Sequence, residues 1–521
     1  MQRSVGKQHG ILFLVSWLGL MVVYFFPLSH FTLSIDGEFE DNFHHTIALG
    51  RWGHALLRAW LLPEPYIPYF TLLVALAVLA MAAVIGAAML KLPLWQGVAF
   101  SAVFASTPQL AYQLQFINQA DTVAVGYVLM VVGVALFQRS LYAPGSQWGR
   151  SLWWAGAVAC WLYAIAIYQS LVILAPVMWM GVLLLAPEAR AMSIKRQFAS
   201  LCGLGGSLVV AALLYIVLSR WFQAYLVGDT SYAQLNEGYL ERFVVLGDDL
   251  GQYLQGVVRQ MATLLSGRAY YGAGTLALVT LAALLSLLLL VRRPGRTALW
   301  RGLLLVGILI TPMSLALTSN SPLPARVWVG VNLMSALIIT WLLSQLSGMA
   351  HKRDPQHPQP AITLPARMLL GAIGIVTLVH IAWVSALFSS DHHLRQRDIL
   401  MANRIITSVY MQYPEVDLAH TPVYFHGAWQ QPSRHSLPNA STFGGSFFAW
   451  DGGNNIRLER FFSYYGIARF SAADSAATRQ ALAVVGEMPT WPNPAAIRLL
   501  DDVLVIKLGE YRGWLPFSVD E

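Results

Sequence analysis

Gly272-Ala273-Gly274-Thr275-Leu276-Ala277-Leu278-Val279-Thr280-Leu281-Ala282-Ala283-Leu284-Leu285-Ser286-Leu287-Leu288-Leu289-Leu290-Val291 runs for twenty residues without a charge. As a helix it is long enough to cross a hydrocarbon layer of roughly 30 Å. Similar runs recur along the 521-residue chain, and eleven spans are predicted at 11–28, 66–90, 93–108, 121–138, 152–167, 169–186, 200–219, 272–291, 300–318, 328–346 and 367–388. The composition agrees, with 56% hydrophobic and 11% charged residues and a mean hydropathy of +0.55. The fold class read from this is mainly α, a polytopic membrane protein.

Charge then assigns sides. Arg3, Lys7, Lys91, Arg139, Arg150 and ten further Lys and Arg residues fall in loops on one face, together with only two acids, Glu188 and Asp354. Basic residues in short loops resist translocation, so that face is cytoplasmic, as is the N-terminus, and the C-terminus lies outside. The net charge of +7 therefore reflects topology and contact with anionic membrane lipids. Dispersed in this way, the basic residues argue against nucleic-acid binding. The first span runs into Phe25-Phe26-Pro27 without a small-residue cleavage site and is read as a retained helix. Cys160 and Cys202 both fall inside predicted spans, so no disulfide framework is expected.

The expected domains are a membrane part, 1–388, with outer loops 29–65, 106–120, 220–271 and 319–327, and an outer domain, 389–521. In the latter, Val423-Tyr424-Phe425 and Val503-Leu504-Val505-Ile506 read as strands and Ser475 to Val485 as helix, giving a small α/β domain. Tyr239 to Leu265 reads as an amphipathic helix along the membrane surface. Residues 351–365 read as a Pro-rich linker.

The chemistry gathers in the outer loops. Ser34-Ile35-Asp36-Gly37-Glu38-Phe39-Glu40-Asp41-Asn42-Phe43-His44-His45 concentrates carboxylates and imidazoles in a chain that otherwise avoids charge. Asp36, Glu38 and Glu40 alternate and would share one side of an extended segment, while Asp41, His44 and His45 would lie a turn apart on a helix. A carboxylate against an apolar wall can act as a general base. The same loop could be a hydrated acidic turn, and hard oxygen ligands leave a divalent metal possible although no closed metal motif is present.

Gly50-Arg51-Trp52-Gly53-His54 follows, an Arg fork beside an interfacial Trp, suited to a phosphate or to plain anchoring. In the second outer loop Gln115, Asn118 and Asp121, and further on Tyr168 and Gln169, offer the amides, carboxylate and aromatic face that hydroxyl-rich ligands need. Arg326 breaks the positive-inside pattern at the mouth of the tenth span and asks for an anionic partner.

In order and sidedness these elements resemble the glycosyltransferase C superfamily (GT-C). More closely, Ser34-Ile35-Asp36-Gly37-Glu38 with Gly50-Arg51-Trp52, Ala166-Ile167-Tyr168-Gln169-Ser170, Pro324-Ala325-Arg326 and Met488-Pro489-Thr490-Trp491-Pro492 resemble the bacteriophage-type O-antigen glucosyltransferase II family. The resemblance implies transfer of glucose or a related hexose from undecaprenyl phosphate to O-antigen or another glycan acceptor, at the periplasmic face of a bacterial inner membrane, with inversion. It implies a base at Asp36 or Glu38, phosphate contacts at Arg51 and Arg326, and acceptor contacts in the tail, with Trp450, Asp451 and Asn455 as candidates. Gly37 stands where the family often has a second acid, which keeps both base candidates open. Association with a flippase and a donor-synthesising transferase is compatible with this reading. A lipid A aminosugar or protein glycosyltransferase, an O-antigen polymerase and a lipid-sugar transporter are the alternatives.

Overall fold

The computed structural model describes residues 2–39, 42–62, 66–144, 146–228, 250–292, 295–318, 322–351, 362–430, 433–510 and 515. The chain divides into two compact units, one of residues 1–29 and 41–385, the other of residues 30–40 and 386–521.

The first unit is helical: α1 (Gln2–Val23), α2 (Phe25–Ser29), α3 (Asn42–Ala48), α4 (Trp52–Trp60), α5 (Pro68–Met89), α6 (Leu94–Ser106), α7 (Gln109–Leu114), α8 (Ile117–Tyr142), α9 (Gln147–Ile167), α10 (Leu174–Leu185), α11 (Pro187–Arg190), α12 (Ile194–Phe222), α13 (Leu250–Leu265), α14 (Thr275–Val291), α15 (Arg296–Ile310), α16 (Val331–His351) and the start of α17 (Leu364–Gln412). Among the described residues seven helices are long and apolar enough to cross a membrane, and four shorter apolar helices accompany them. All eleven fall where apolar runs were predicted. The 272–291 run forms α14, one of the shorter four, because its first three residues turn before the helix starts.

Local chemistry explains the boundaries. Pro68 opens α5, where its missing N–H is no loss, and the Ser146 hydroxyl accepts from Gly149 N at 3.2 Å to cap α9. Inside α14 the Ser286 hydroxyl donates to the Ala282 carbonyl at 2.8 Å, so it needs no partner from outside. Small residues let helices close on aromatics: a Cβ on Gly133 of α8 would sit 2.4 Å from the Trp161 ring of α9. On α12 the side chains of Val209, Leu213 and Val217 point outward, an apolar face suited to lipid and not to water.

Two elements differ in extent from the sequence reading. The last apolar run continues as helix to Gln412 and does not stop at 388, because His392 to Gln412 keeps helical propensity after the apolar residues end. Of the amphipathic segment, 250–265 is helical, and 239–249 lies outside the described residues.

The second unit contains a three-stranded sheet in the order β1-β3-β2, with β1 (Val423–His426) parallel and β2 (Ile497–Leu499) antiparallel to β3 (Leu504–Lys507). Two helices, α18 (Asn455–Tyr464) and α19 (Ser475–Val484), lie between β1 and β2 in the chain. The core is aromatic, with Phe425, Phe447, Phe448, Phe461 and Phe462 all buried, and Leu33 of the 30–40 segment is buried among the same cluster. The Arg395 guanidinium fastens this segment by donating to the Leu33 carbonyl at 2.9 Å and to Asp398 at 2.7 Å.

Candidate functional site

Within the second unit the acidic loop is a turn, not an extended strand. Gly37 N donates to the Ser34 carbonyl at 3.1 Å, and Asp36 takes a left-handed φ of 70°, a conformation Asp tolerates better than most residues. The turn directs Asp36 and Glu38 to one guanidinium. Arg457, in the first turn of α18, donates from Nη2 to Asp36 Oδ1 at 3.1 Å, from Nη1 to Glu38 Oε1, and from Nε to Asp451 Oδ2 at 2.6 Å. The helix start is fixed by Asn454, whose side chain accepts from Ile456 N and Arg457 N.

The two carboxylates of the loop differ in access. The Asp36 side chain keeps 33% of its exposure and that of Glu38 none. Burial pushes the Glu38 carboxyl above the ordinary glutamate range, Arg457 pulls against it, and Asp36 adds to the rise. Burial works against the Arg457 charge, but Asp36, Glu38 and Asp451 outweigh it and hold the guanidinium protonated. Phe39 lies between two arginines, with Arg457 5.3 Å and Arg460 4.4 Å from its ring centre.

Other candidates in this unit have structural neighbours. Asn455 gives both ends of its amide to the backbone of β1, accepting from Phe425 N at 2.6 Å and donating to Phe425 O at 3.0 Å. Its place is in the scaffold. The Trp450 ring covers Gly445, where a Cβ would come within 2.4 Å. Glu40 and Asp41 lie outside the described residues.

In the first unit Gly50 to His54 forms a platform in which each residue around Arg51 is tethered. Gly50 turns with φ 73°, and a Cβ there would meet the Tyr215 hydroxyl at 2.6 Å. The Trp52 indole donates to Ser219 Oγ at 3.1 Å and stacks on Phe222. Gly53 packs so closely on the end of α9 that a Cβ would lie 3.0 Å from the Ala166 backbone. His54 is buried between Asn42 and Thr122. Burial, and then the charges of Arg58 and Arg51, hold its imidazole well below the ordinary histidine value. The Arg51 guanidinium lies 5.0 Å from the Tyr168 ring centre and donates to Gln119 Oε1 at 3.3 Å, while its buried Nε has no partner among the described residues.

Gln169 supports the same turn, donating to the Leu49 carbonyl at 3.0 Å and to Tyr215 at 2.9 Å. Asp121 pairs with Arg58 at 2.5 Å, and the Asn118 carbonyl accepts from the same guanidinium at 2.9 Å. Gln115 is buried, His44 sets its ring edge to Phe43, and His45 lies in the last turn of α3. Arg326 stacks 4.5 Å over Phe116, and the Ala325 carbonyl accepts from Gln109 at 3.1 Å. Among the described residues neither Arg51 nor Arg326 has a carboxylate partner.

Sequence reasoning missed Arg457 and Arg58. Arg457 stands 421 residues from Asp36, and the only signal was the knot itself, since acids gathered against an apolar wall call for a cation. Arg58 follows His54 by one helical turn, a spacing that marks a shared face on α4. Among the described residues no group of three or more His, Cys, Asp or Glu is placed to share a metal ion.

The family model described as glucosyl transferase GtrII matches residues 25–341. Among curated proteins none matches. Among solved structures, ArnT from Cupriavidus metallidurans bound to undecaprenyl phosphate is 12% identical, with 97% of each chain covered and a TM-score of 0.34. The archaeal oligosaccharyltransferase AglB from Archaeoglobus fulgidus, in complex with an inhibitory peptide and a dolichol-phosphate, is 13% identical, with 72% of this chain and 55% of that chain covered and a TM-score of 0.36. The family match covers more than half of this many-helix membrane chain, which therefore belongs to the GtrII glucosyl transferase family and is a glycosyltransferase.

Proposed function

We propose that this GtrII-family protein is a GT-C-type enzyme that moves glucose, or a related hexose, from undecaprenyl phosphate to an O-antigen acceptor at the periplasmic face of the inner membrane, with inversion at the anomeric carbon. The observation that carries the reading is the acidic turn, where two carboxylates that family resemblance marks as base candidates share one guanidinium but differ in access.

Asp36 is the general base in this account. Its partial exposure lets a carboxylate oxygen reach an acceptor hydroxyl, whereas Glu38 is enclosed and acts by fixing Arg457. The acceptor hydroxyl gives its proton to Asp36, and its oxygen attacks C1 from the side opposite the phosphate. The bond from C1 to the phosphate oxygen breaks, and undecaprenyl phosphate leaves with the electron pair. Arg51 and Arg326 take up the growing charge on that phosphate; with no carboxylate to neutralise them among the described residues, both are available to an anion. Tyr168 backs Arg51 with its ring face. Asp451 and Trp450 remain candidates for acceptor contacts, and His44, His45 and Gln115 for contacts with the sugars.

Purified enzyme given undecaprenyl-phosphate glucose and a lipid-linked O-antigen acceptor tests this. The expected product carries a new glucosyl linkage with the anomeric configuration opposite to that of the donor. Retained configuration, or transfer only from a nucleotide sugar, would contradict the proposal. A chelator titration of the same reaction decides whether a divalent ion assists.

A further inference from the structure

The Arg51 side chain is weakly held for a residue assigned to a phosphate. Among the described residues its one side-chain hydrogen bond, to Gln119 Oε1, is 3.3 Å long, and its buried Nε has no partner. Its position must come from the elements beside it, α4, which Arg51 immediately precedes, and α8, which carries Gln119. Two polar rungs join those helices. In the first, Arg58 Nη2 donates to Asp121 Oδ1 at 2.5 Å and to the Asn118 carbonyl at 2.9 Å, and the same Asp121 oxygen accepts from Thr122 N at 2.8 Å.

In the second rung His54 sits between Asn42 and Thr122. The Asn42 amide donates to Nε2 at 3.1 Å, so Nδ1 carries the proton and donates to Thr122 Oγ1 at 2.8 Å. Thr122 Oγ1 in turn donates to the backbone carbonyl of Gln119 at 2.9 Å, the residue that receives Arg51. All of His54, Arg58, Asp121 and Thr122 are at least nine-tenths buried. A buried ion pair adds little net stability over an apolar pair of the same volume, and its better attested use is to fix one arrangement.

We propose that the His54–Thr122 and Arg58–Asp121 rungs are positioning devices that set Arg51 and Gln119 at the spacing needed to grip the anionic phosphate of the lipid-linked donor. Thr122 is the positioning residue that passes the hold from α4 to Gln119. The inference rests on the reading of Arg51 as a donor-phosphate contact.

The test measures KM for undecaprenyl-phosphate glucose and for the acceptor separately, with Tm as the structural readout, in Thr122→Val, Thr122→Ser, His54→Asn and Arg51→Met. Thr122→Val keeps the shape and removes the hydroxyl. Its expected effect is a rise of about fivefold in donor KM, with acceptor KM unchanged and Tm near wild type. Thr122→Ser restores the donor KM, and His54→Asn, which breaks the same rung from α4, reproduces the defect. Arg51→Met gives the largest rise in donor KM. If Arg51→Met leaves donor KM at the wild-type value, the reading of Arg51 fails and the inference with it. If Arg51→Met raises it while Thr122→Val and His54→Asn lower only Tm, or shift both KM values together, the rungs are structural and the inference alone is overturned. Should Thr122→Val not accumulate, His54→Asn is read against the same two outcomes.

Discussion

Arg457 gathers Asp36, Glu38 and Asp451 around one guanidinium, and this fixes what each carboxylate can do. Glu38, enclosed and raised by burial, keeps its proton to higher pH in the folded protein than in the unfolded chain. The sign follows from linkage: its contribution to stability is complete below the ordinary glutamate range and is lost as pH rises through the raised value. Glu38→Gln should therefore flatten the fall of Tm with rising pH above that range, as followed by thermal unfolding in detergent. Arg457→Met leaves three acids without their shared cation, so Tm is expected to drop and transfer to be lost even in the protein that remains folded; wild-type activity in this variant would show that the cluster does not organise the site. The acids and Arg51 were legible in the sequence because charge is scarce there. Arg457 was not, since nothing local links a residue in the tail to a loop 421 residues earlier.

At the level of elements, apolar runs announced the membrane helices because a bilayer demands a long uncharged stretch and leaves little room for other readings. The strands Val423–His426 and Leu504–Lys507 were legible as short apolar runs, whereas Ile497–Leu499 was not, being three residues with an Arg at its centre. Glycine at 53 carries no such signal, yet α4 needs it: a Cβ would press on the Ala166 backbone at 3.0 Å. Gly53→Ala is expected to cost about 1–3 kcal/mol and to weaken donor binding, read as a lower Tm with a raised donor KM. Asn455→Ala removes the partner of both backbone groups of Phe425 on β1. The cost is about 1–3 kcal/mol for each buried group left unpaired, measured as lost stability in the second unit.

For the whole molecule, the distribution of basic loops is expected to set the sidedness on which the proposed reaction depends, because a lipid-linked donor and an O-antigen acceptor are proposed to meet outside the cytoplasm. An alkaline phosphatase reporter fused after Glu521 is expected to be active and one fused within 188–196 inactive; the reverse pattern would place the acidic turn on the wrong side. We propose a carboxylate of this turn as the base of a glucosyl transfer from a polyprenyl phosphate. It is tested most directly by measuring O-antigen modification in a host carrying wild type, Asp36→Asn or Glu38→Gln at matched membrane levels. Asp36→Asn is expected to lower transfer by about 10²–10⁴-fold, with a smaller loss for Glu38→Gln, and wild-type modification by both variants would overturn the assignment.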